Sequence, residues 1–272
     1  MNHPVILYPP GTRRPMVAFG SAGMICRNSS NDVEVLKSPL RHDLSRCSED
    51  TVMHMKEEEA FSLACIHREK AIFGMLPKHD NVIECLGITD SGIRLQYMHN
   101  GNLRDYTRKN HAQLDDRTKE TWVRNAVSAV EFIHQHSVIH GDISARNFLV
   151  ADDLSIKLCD FAGSGIGDMP ADVEEEDRYR ISPESPRSIQ TDLFALGCLI
   201  FEITVGLRPY EEINDEEWEQ IAEKYERGIF PPTEGLKYGD IIHKCWTMQY
   251  KAANELFLDI EAESNRYAWQ NC

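Results

Sequence analysis

The stretch from His140 to Phe161 constrains this chain more than any other. His140-Gly141-Asp142-Ile143-Ser144-Ala145-Arg146-Asn147 leads into the apolar run Phe148-Leu149-Val150, and after a short hairpin comes Ile156-Lys157-Leu158-Cys159-Asp160-Phe161. Two strands flanking a turn would bring Asp142, Asn147 and Asp160 to one edge. Phosphoryl transfer needs such a set: one carboxylate to orient an attacking hydroxyl, and oxygen ligands to hold Mg²⁺ against the phosphates. Any one of these carboxylates alone would read as a surface residue or a helix cap. It is their combined spacing that points to a site.

The rest of the chain divides into a strand-rich first part and a helical second part. Residues 16–37 read as a glycine turn between strands, then a hairpin of Met24 to Arg27 and Val33 to Lys37 around the polar turn 28–31. Residues 38–56 are polar and irregular and are expected to form a loop. A helix is predicted over 57–76, with Phe61, Ala64, Cys65, Ile72 and Phe73 at helical spacing and Pro77 as its stop. Short strands are predicted at 82–88 and 93–98. After Gly101 helices dominate: 117–136, carrying Trp122, Ala126, Ala129, Val130 and Ile133, then 191–205, 215–227, 237–247 and 253–263. The boundary falls near Tyr97 to Asn100. With 272 residues, 42% of them hydrophobic, the chain can bury a sizeable core as one large domain or two small lobes.

A formal net charge of -15 argues against nucleic acid, whose binding relies on clustered Lys and Arg to neutralise phosphates and release counterions. The acidic runs Glu57-Glu58-Glu59 and Glu174-Glu175-Glu176 are expected to be solvated surface. Eight cysteines (Cys26, Cys47, Cys65, Cys85, Cys159, Cys198, Cys245 and Cys272) include no Cys-x-x-Cys pair and read as reduced thiols, not as a disulfide framework or zinc site. Met1 to Gly11 holds no basic segment followed by an apolar stretch, and no window approaches the roughly 18 apolar residues of a membrane span. The expected compartment is therefore cytoplasmic or nuclear.

The segment 140–161 resembles the eukaryotic protein kinase family, whose catalytic loop reads His-Arg-Asp with an Asn five residues after the Asp and whose metal loop reads Asp-Phe-Gly. The resemblance covers about residues 16–263. It implies an α+β, bilobal kinase-like fold in a domain 12–265, with a small β-rich N-lobe, 12–97, and a larger helical C-lobe, 98–265. It further implies ATP and Mg²⁺ as cofactors and a protein substrate, with transfer of the γ-phosphate to a Ser or Thr hydroxyl and Tyr left open. Position by position, Asp142 matches the catalytic base, Asn147 a magnesium ligand and Asp160 the main magnesium ligand. Arg146 matches the Arg that tyrosine kinases place four residues after the base. Ser144 stands where serine/threonine kinases usually have a phosphate-contacting Lys. Ala18 to Ile25 resembles the glycine-rich loop over the phosphates, with Gly20 and Gly23 kept and the first Gly replaced by Ala18. Lys37 looks like the lysine that pairs with the α- and β-phosphates, and Glu69 like its ion-pair partner. Leu95 to Leu103 resembles the hinge, where adenine would bond the backbone of Gln96 and Met98 with Leu95 at the back of the pocket. Ser182-Pro183-Glu184, Asp192 to Gly197 and Cys245-Trp246 resemble three structural signatures of the large lobe.

Four departures from the family pattern stand out. Gly141 replaces the usual Arg, Ala162 replaces the Gly of the metal loop, and the loop between Lys37 and Glu69 is long. Ala253-Asn254 replaces Arg-Pro, so Glu184 is expected to be solvated or paired elsewhere. None removes a phosphate or metal contact. Two other classes remain open: a pseudokinase serving as an ATP-binding scaffold, and a small-molecule phosphotransferase of the aminoglycoside or choline kinase type, which shares His-Gly-Asp but generally lacks the later signatures. In the family, the positions of Asp172 to Asp177 and of the carboxylates in 211–226 border the peptide groove. Basic peptides are expected to be favoured if these residues face it. Gly141 carries no side chain to receive a phosphate, which implies activity without phosphorylation of residues 160–184.

Overall fold

A computed structural model of the chain describes residues 3–110 and 113–270. The chain forms two compact units: one runs up to Lys78 and adds Ile83–Met98 and Asp160–Ala162, while the other takes His79–Val82, His99–Cys159 and the chain from Gly163 onward.

The first unit is built on a five-stranded antiparallel sheet. Its strands are β2 (Thr12–Gly20), β3 (Gly23–Asn28), β4 (Glu34–Ser38), β6 (Cys85–Thr89) and β7 (Gly92–Gln96), in the order β2-β3-β4-β7-β6. Strand β4 lies at the centre and every one of its residues is buried. Two residues either side of the sheet's first half, β1 (Val5–Ile6) and β5 (His42–Asp43), pair with one another. Helix α1 (Glu49–Met75) packs against β3, β6 and β7.

That helix corrects the second part of the loop expected over 38–56, since 39–48 is irregular apart from β5 and the helix takes 49–56. It starts at Glu49, where the Ser48 hydroxyl accepts the Thr51 N–H and Glu49 and Asp50 sit at the positive end of the helix dipole. No residue of α1 before Ser62 is buried, so its first three turns carry no apolar stripe. The buried face is Ser62, Cys65, Ile66, Glu69 and Ile72. Phe61 and Ala64, expected on that face, are exposed. Cys65 and Ile72 are buried as expected, and polar Ser62 and Glu69 take two of the other inward positions.

The second unit is largely helical. It contains α2 (Leu103–Asn110), α3 (Asp116–Gln135), α4 (Ile189–Val205), α5 (Trp218–Glu226), α6 (Gly239–Trp246) and α7 (Ala253–Gln270). Short antiparallel pairs join β8 (Val138–Ile139) to β11 (Gly165–Ile166) and β9 (Phe148–Val150) to β10 (Ile156–Leu158). Helix α3 buries Trp122, Val123, Ala126, Val127, Ala129, Val130 and Ile133 against α4 and α7. Helix α4 is buried around most of its circumference from Thr191 to Ile203 and packs on α6. Each large aliphatic side chain so enclosed contributes about 1.5–3 kcal/mol. Helix α2 was not predicted, and the expected helix at 215–227 divides into a 3-10 turn, Asp215–Glu217, and α5.

Among the described residues no helix is long and apolar enough to cross a membrane. Cys26, Cys65, Cys198 and Cys245 are buried and Cys47, Cys85 and Cys159 partly so, while Cys272 lies outside the described residues.

Candidate active site

Three of the expected residues meet in the first unit. Lys37 on β4 places Nζ 2.6 Å from Glu69 Oε2 and 2.7 Å from Asp160 Oδ1. The Lys37 and Glu69 side chains are 5% and 0% exposed, whereas Asp160 is 45% exposed. Burial opposes the charge on Lys37, but Asp160 and Glu69 outweigh it and hold the ammonium above the ordinary lysine range. The other oxygen of Glu69 accepts the Phe161 N–H at 3.1 Å, and the Phe161 ring meets Phe73 edge-on with centroids 5.4 Å apart. Asp160 itself adopts φ +66°, a left-handed conformation uncommon for a residue with a Cβ. A carboxylate held at a strained backbone position by a buried cation is the kind of arrangement found at functional sites.

Gly20 and Gly23 close the turn between β2 and β3, facing each other across it. Only the second is constrained: Gly23 has φ +149°, and a Cβ there would lie 2.6 Å from the Ser38 carbonyl oxygen, while Gly20 faces open space. Ile25 pairs with Lys37 in the β3–β4 register. Leu95 and Met98 are buried and Gln96 partly so, with the Gln96 N–H donated to the Glu84 carbonyl at 3.1 Å.

Asp142, Arg146 and Asn147 lie in the second unit. The Asn147 amide nitrogen donates to the Asp142 carbonyl oxygen at 2.7 Å and to its Oδ2 at 2.8 Å. The loop's backbone is anchored from below by Asp192 on α4, whose carboxylate accepts the His140 and Gly141 N–H groups at 2.8 Å each and contacts His134 Nε2 at 2.9 Å. Gly141 has φ +76°, and a Cβ would stand 2.9 Å from Val173 Cγ1 and 3.2 Å from Ala171 Cβ. A side chain there would have to displace the chain's own 171–173 segment.

The run Glu174-Glu175-Glu176 is not the solvated surface it was expected to be. Only Glu174 is exposed. Glu175 Oε2 lies 2.9 Å from Arg187 Nε, both side chains nearly enclosed. Glu176 binds Arg104 on α2 through both oxygens, at 2.9 and 2.7 Å, and Arg146 Nε at 2.8 Å. Arg104 turns its other edge to Glu202 of α4 at 2.8 and 2.9 Å, and the Tyr179 hydroxyl donates to the same carboxylate. Asp177 pairs with Arg180, and Asp215 with Arg178 at 2.6 Å. Much of the acidic character expected to attract basic peptides is thus neutralised internally. Glu184 is exposed, the solvated alternative for a carboxylate without its usual partner.

A profile described as protein tyrosine and serine/threonine kinase matches residues 34–256. The chain therefore belongs to the protein tyrosine and serine/threonine kinase family, with the mixed α+β kinase fold. It is similar to a fibroblast growth factor receptor of Strongylocentrotus purpuratus, 26% identical over 212 residues, 65% of this chain and 21% of that protein. It is also similar to the RGS domain-containing serine/threonine-protein kinase A of Dictyostelium discoideum, at 28% over 205 residues, 71% of this chain and 18% of the relative. The tyrosine-protein kinase transforming protein Abl of Abelson murine leukemia virus is 28% identical over 214 residues, 73% of this chain and 27% of the relative. The chain spans less than half the length of the curated relatives it matches.

Proposed function

We propose that this chain is an ATP-dependent protein kinase acting on Ser or Thr hydroxyls of a protein substrate, through a domain spanning 12–265 with its N-lobe at 12–97 and its C-lobe at 98–265. The observation that carries the reading is the Lys37 ammonium, kept charged between buried Glu69 and half-exposed Asp160. One cation against two carboxylates leaves a negative excess at the exposed vertex, which suits a hard cation.

In this reading Lys37 pairs with the α- and β-phosphates and Glu69 holds it extended. Asp160 and Asn147 would hold Mg²⁺; with its amide nitrogen turned to Asp142, Asn147 offers its amide oxygen to such an ion. Bound Mg²⁺ neutralises charge on the phosphates. Asp142 orients the acceptor hydroxyl and takes its proton. Arg146 supports the loop that carries it. Gly20, Gly23 and Ile25 cover the phosphates, and the backbone of Gln96 and Met98 receives adenine. The relatives include both a serine/threonine-protein kinase and a tyrosine-protein kinase, and the Ser or Thr acceptor is taken as the commoner class among protein kinases.

Magnesium-dependent phosphorylation of a degenerate peptide library, read by mass spectrometry for wild type and Asp142→Asn, tests all of this. Phosphoserine and phosphothreonine from wild type alone support it. Phosphotyrosine would replace the acceptor assignment. ATP binding without transfer would replace the enzyme with a scaffold.

A further inference from the structure

Resting on that reading, the second unit assigns a role to a residue outside the expected machinery. We infer that Glu176 is a positioning residue: its carboxylate is a fixed anion that holds Arg146, and through it the loop bearing Asp142, without any covalent modification of the chain. Arg146 stands four residues after Asp142 and one before Asn147. The loop's other end is already tied, since Asp192 takes the N–H groups of His140 and Gly141. Between these ends the Arg146 side chain reaches the 172–180 segment at Glu176, 2.8 Å away, and the Ser144 side chain meets the same carboxylate.

The anion is built to stay charged and in place. Burial works against it, but Arg104 and then Arg146 outweigh burial and keep the Glu176 carboxyl below its usual range. Arg104 is 7% exposed and meets Glu176 with two N–H···O contacts from one nitrogen, while its opposite edge grips Glu202. Glu202 belongs to the same α4 that carries Asp192. One rigid helix therefore fixes both anchors of the loop, the first directly and the second through Arg104 and Glu176. Charge balances across the group: Arg104 and Arg146 face Glu176 and Glu202. Neutralising Glu176 leaves two guanidinium groups on one carboxylate. Arg146, 53% exposed, is the one able to leave for water, and the loop then loses its second anchor.

Two measurements on Glu176→Gln and Glu176→Asp test this. The first is hydrogen exchange of the amides of residues 142–147, which needs no catalysis. It should quicken roughly tenfold in Glu176→Gln, and Glu176→Asp should recover part of the protection. The second is a kinetic cycle with Arg146→Met, using MgATP and a peptide that wild type phosphorylates. Glu176→Gln should lower kcat by roughly 10- to 100-fold with KM for ATP unchanged, and adding Arg146→Met should cause no further loss. Unchanged exchange, or losses from the two substitutions that multiply, would overturn the assignment. If Glu176→Gln does not fold, exchange in Arg146→Met decides, because that half-exposed side chain can be removed without emptying the core. Faster exchange in a wild-type background that transfers no phosphate would leave the anchor standing and remove the kinase reading instead.

Discussion

The two charged clusters differ in sign, closure and purpose. In the first unit one cation, Lys37, faces two carboxylates, Glu69 and Asp160, and the second of these is half open to solvent. In the second unit two guanidinium groups face two carboxylates, and Arg104, Glu176 and Glu202 are nearly enclosed. Desolvating charge is costly unless pairing is complete. The balanced group meets that condition by itself. In the unbalanced group Asp160 keeps an exposed edge, and in the proposed reading that edge faces Mg²⁺.

The sharpest way to break this contrast is to remove charge from the unbalanced cluster. Lys37→Met and Asp160→Asn are each expected to lower phosphoryl transfer on the order of 10³-fold or more, because both act on charge at the transferring phosphate. Radiolabel transfer to peptide, with far-ultraviolet circular dichroism as the check on folding, reads the effect. A folded Asp160→Asn protein with near-normal turnover would sink the assignment of that corner.

In the balanced cluster the main cost should fall on stability. Arg104→Met leaves Glu176 and Glu202 without their shared buried cation, and a loss of about 3–5 kcal/mol is expected in denaturant unfolding. Arg146→Met removes a half-exposed partner of the same Glu176 and should cost less than about 1 kcal/mol. Equal losses from the two would mean that the network is not organised around Arg104.

A smaller effect separates neighbouring glutamates. Burial raises the carboxyl of Glu175 to about 7 despite Arg187, with Asp192 and Asp142 adding to the rise and Arg180 opposing it. A carboxyl whose folded value lies above its unfolded value favours the native state most at low pH. Its contribution is complete below about pH 4.5 and is lost as pH climbs to about 7. At most about 3 kcal/mol is at stake across that window. Urea unfolding of Glu175→Gln between pH 5 and 8 should lose this part of the slope. A slope equal to that of wild type would show that Glu175 is ionised throughout.

How much of this could be read in the sequence depended on distance along the chain. Helix α3 was legible because Trp122, Ala126, Ala129, Val130 and Ile133 recur at helical spacing and are buried, while the β3–β4 hairpin was legible from its polar turn, although β4 is buried on both faces. The Lys37–Glu69 pair was legible only through family resemblance. Helix α1 was placed eight residues late because no residue of its first turns is fully buried, although Ser48 followed by Glu49 and Asp50 was an available start signal. Helix α2 is only eight residues long, and its one buried turn, Leu103 to Thr107, is too short a run to mark a helix, yet it supplies Arg104. The partners of Glu176 are 72 residues away at Arg104 and 30 at Arg146. No local pattern distinguishes a buried glutamate so paired from a solvated one, which is why Glu175 and Glu176 were read as surface.

The weakest expected response is the most informative about the 160–184 segment: removing phosphate from the protein should not change its activity. Gly141 has no side chain to receive a phosphate, and Val173 and Ala171 occupy the room a larger residue would need. Arg187 and Arg146 instead meet carboxylates that the segment itself carries, Glu175 and Glu176. The segment has three hydroxyl side chains, Ser164, Tyr179 and Ser182. Ser164 is fully buried and donates to the His140 carbonyl at 2.9 Å, and Tyr179 is fully buried with its hydroxyl on Glu202. A phosphate on Tyr179 would add up to two negative charges beside Glu202 and Glu176, whose charge Arg104 and Arg146 already balance. Ser182, partly exposed, is the one hydroxyl of the three that another enzyme could reach in the folded chain. Bacterially expressed protein should therefore phosphorylate peptide at the same rate before and after phosphatase treatment, and Ser182→Ala should match both. Activity abolished by phosphatase and restored by rephosphorylation at Ser182 or Tyr179 would show that the built-in carboxylates do not suffice.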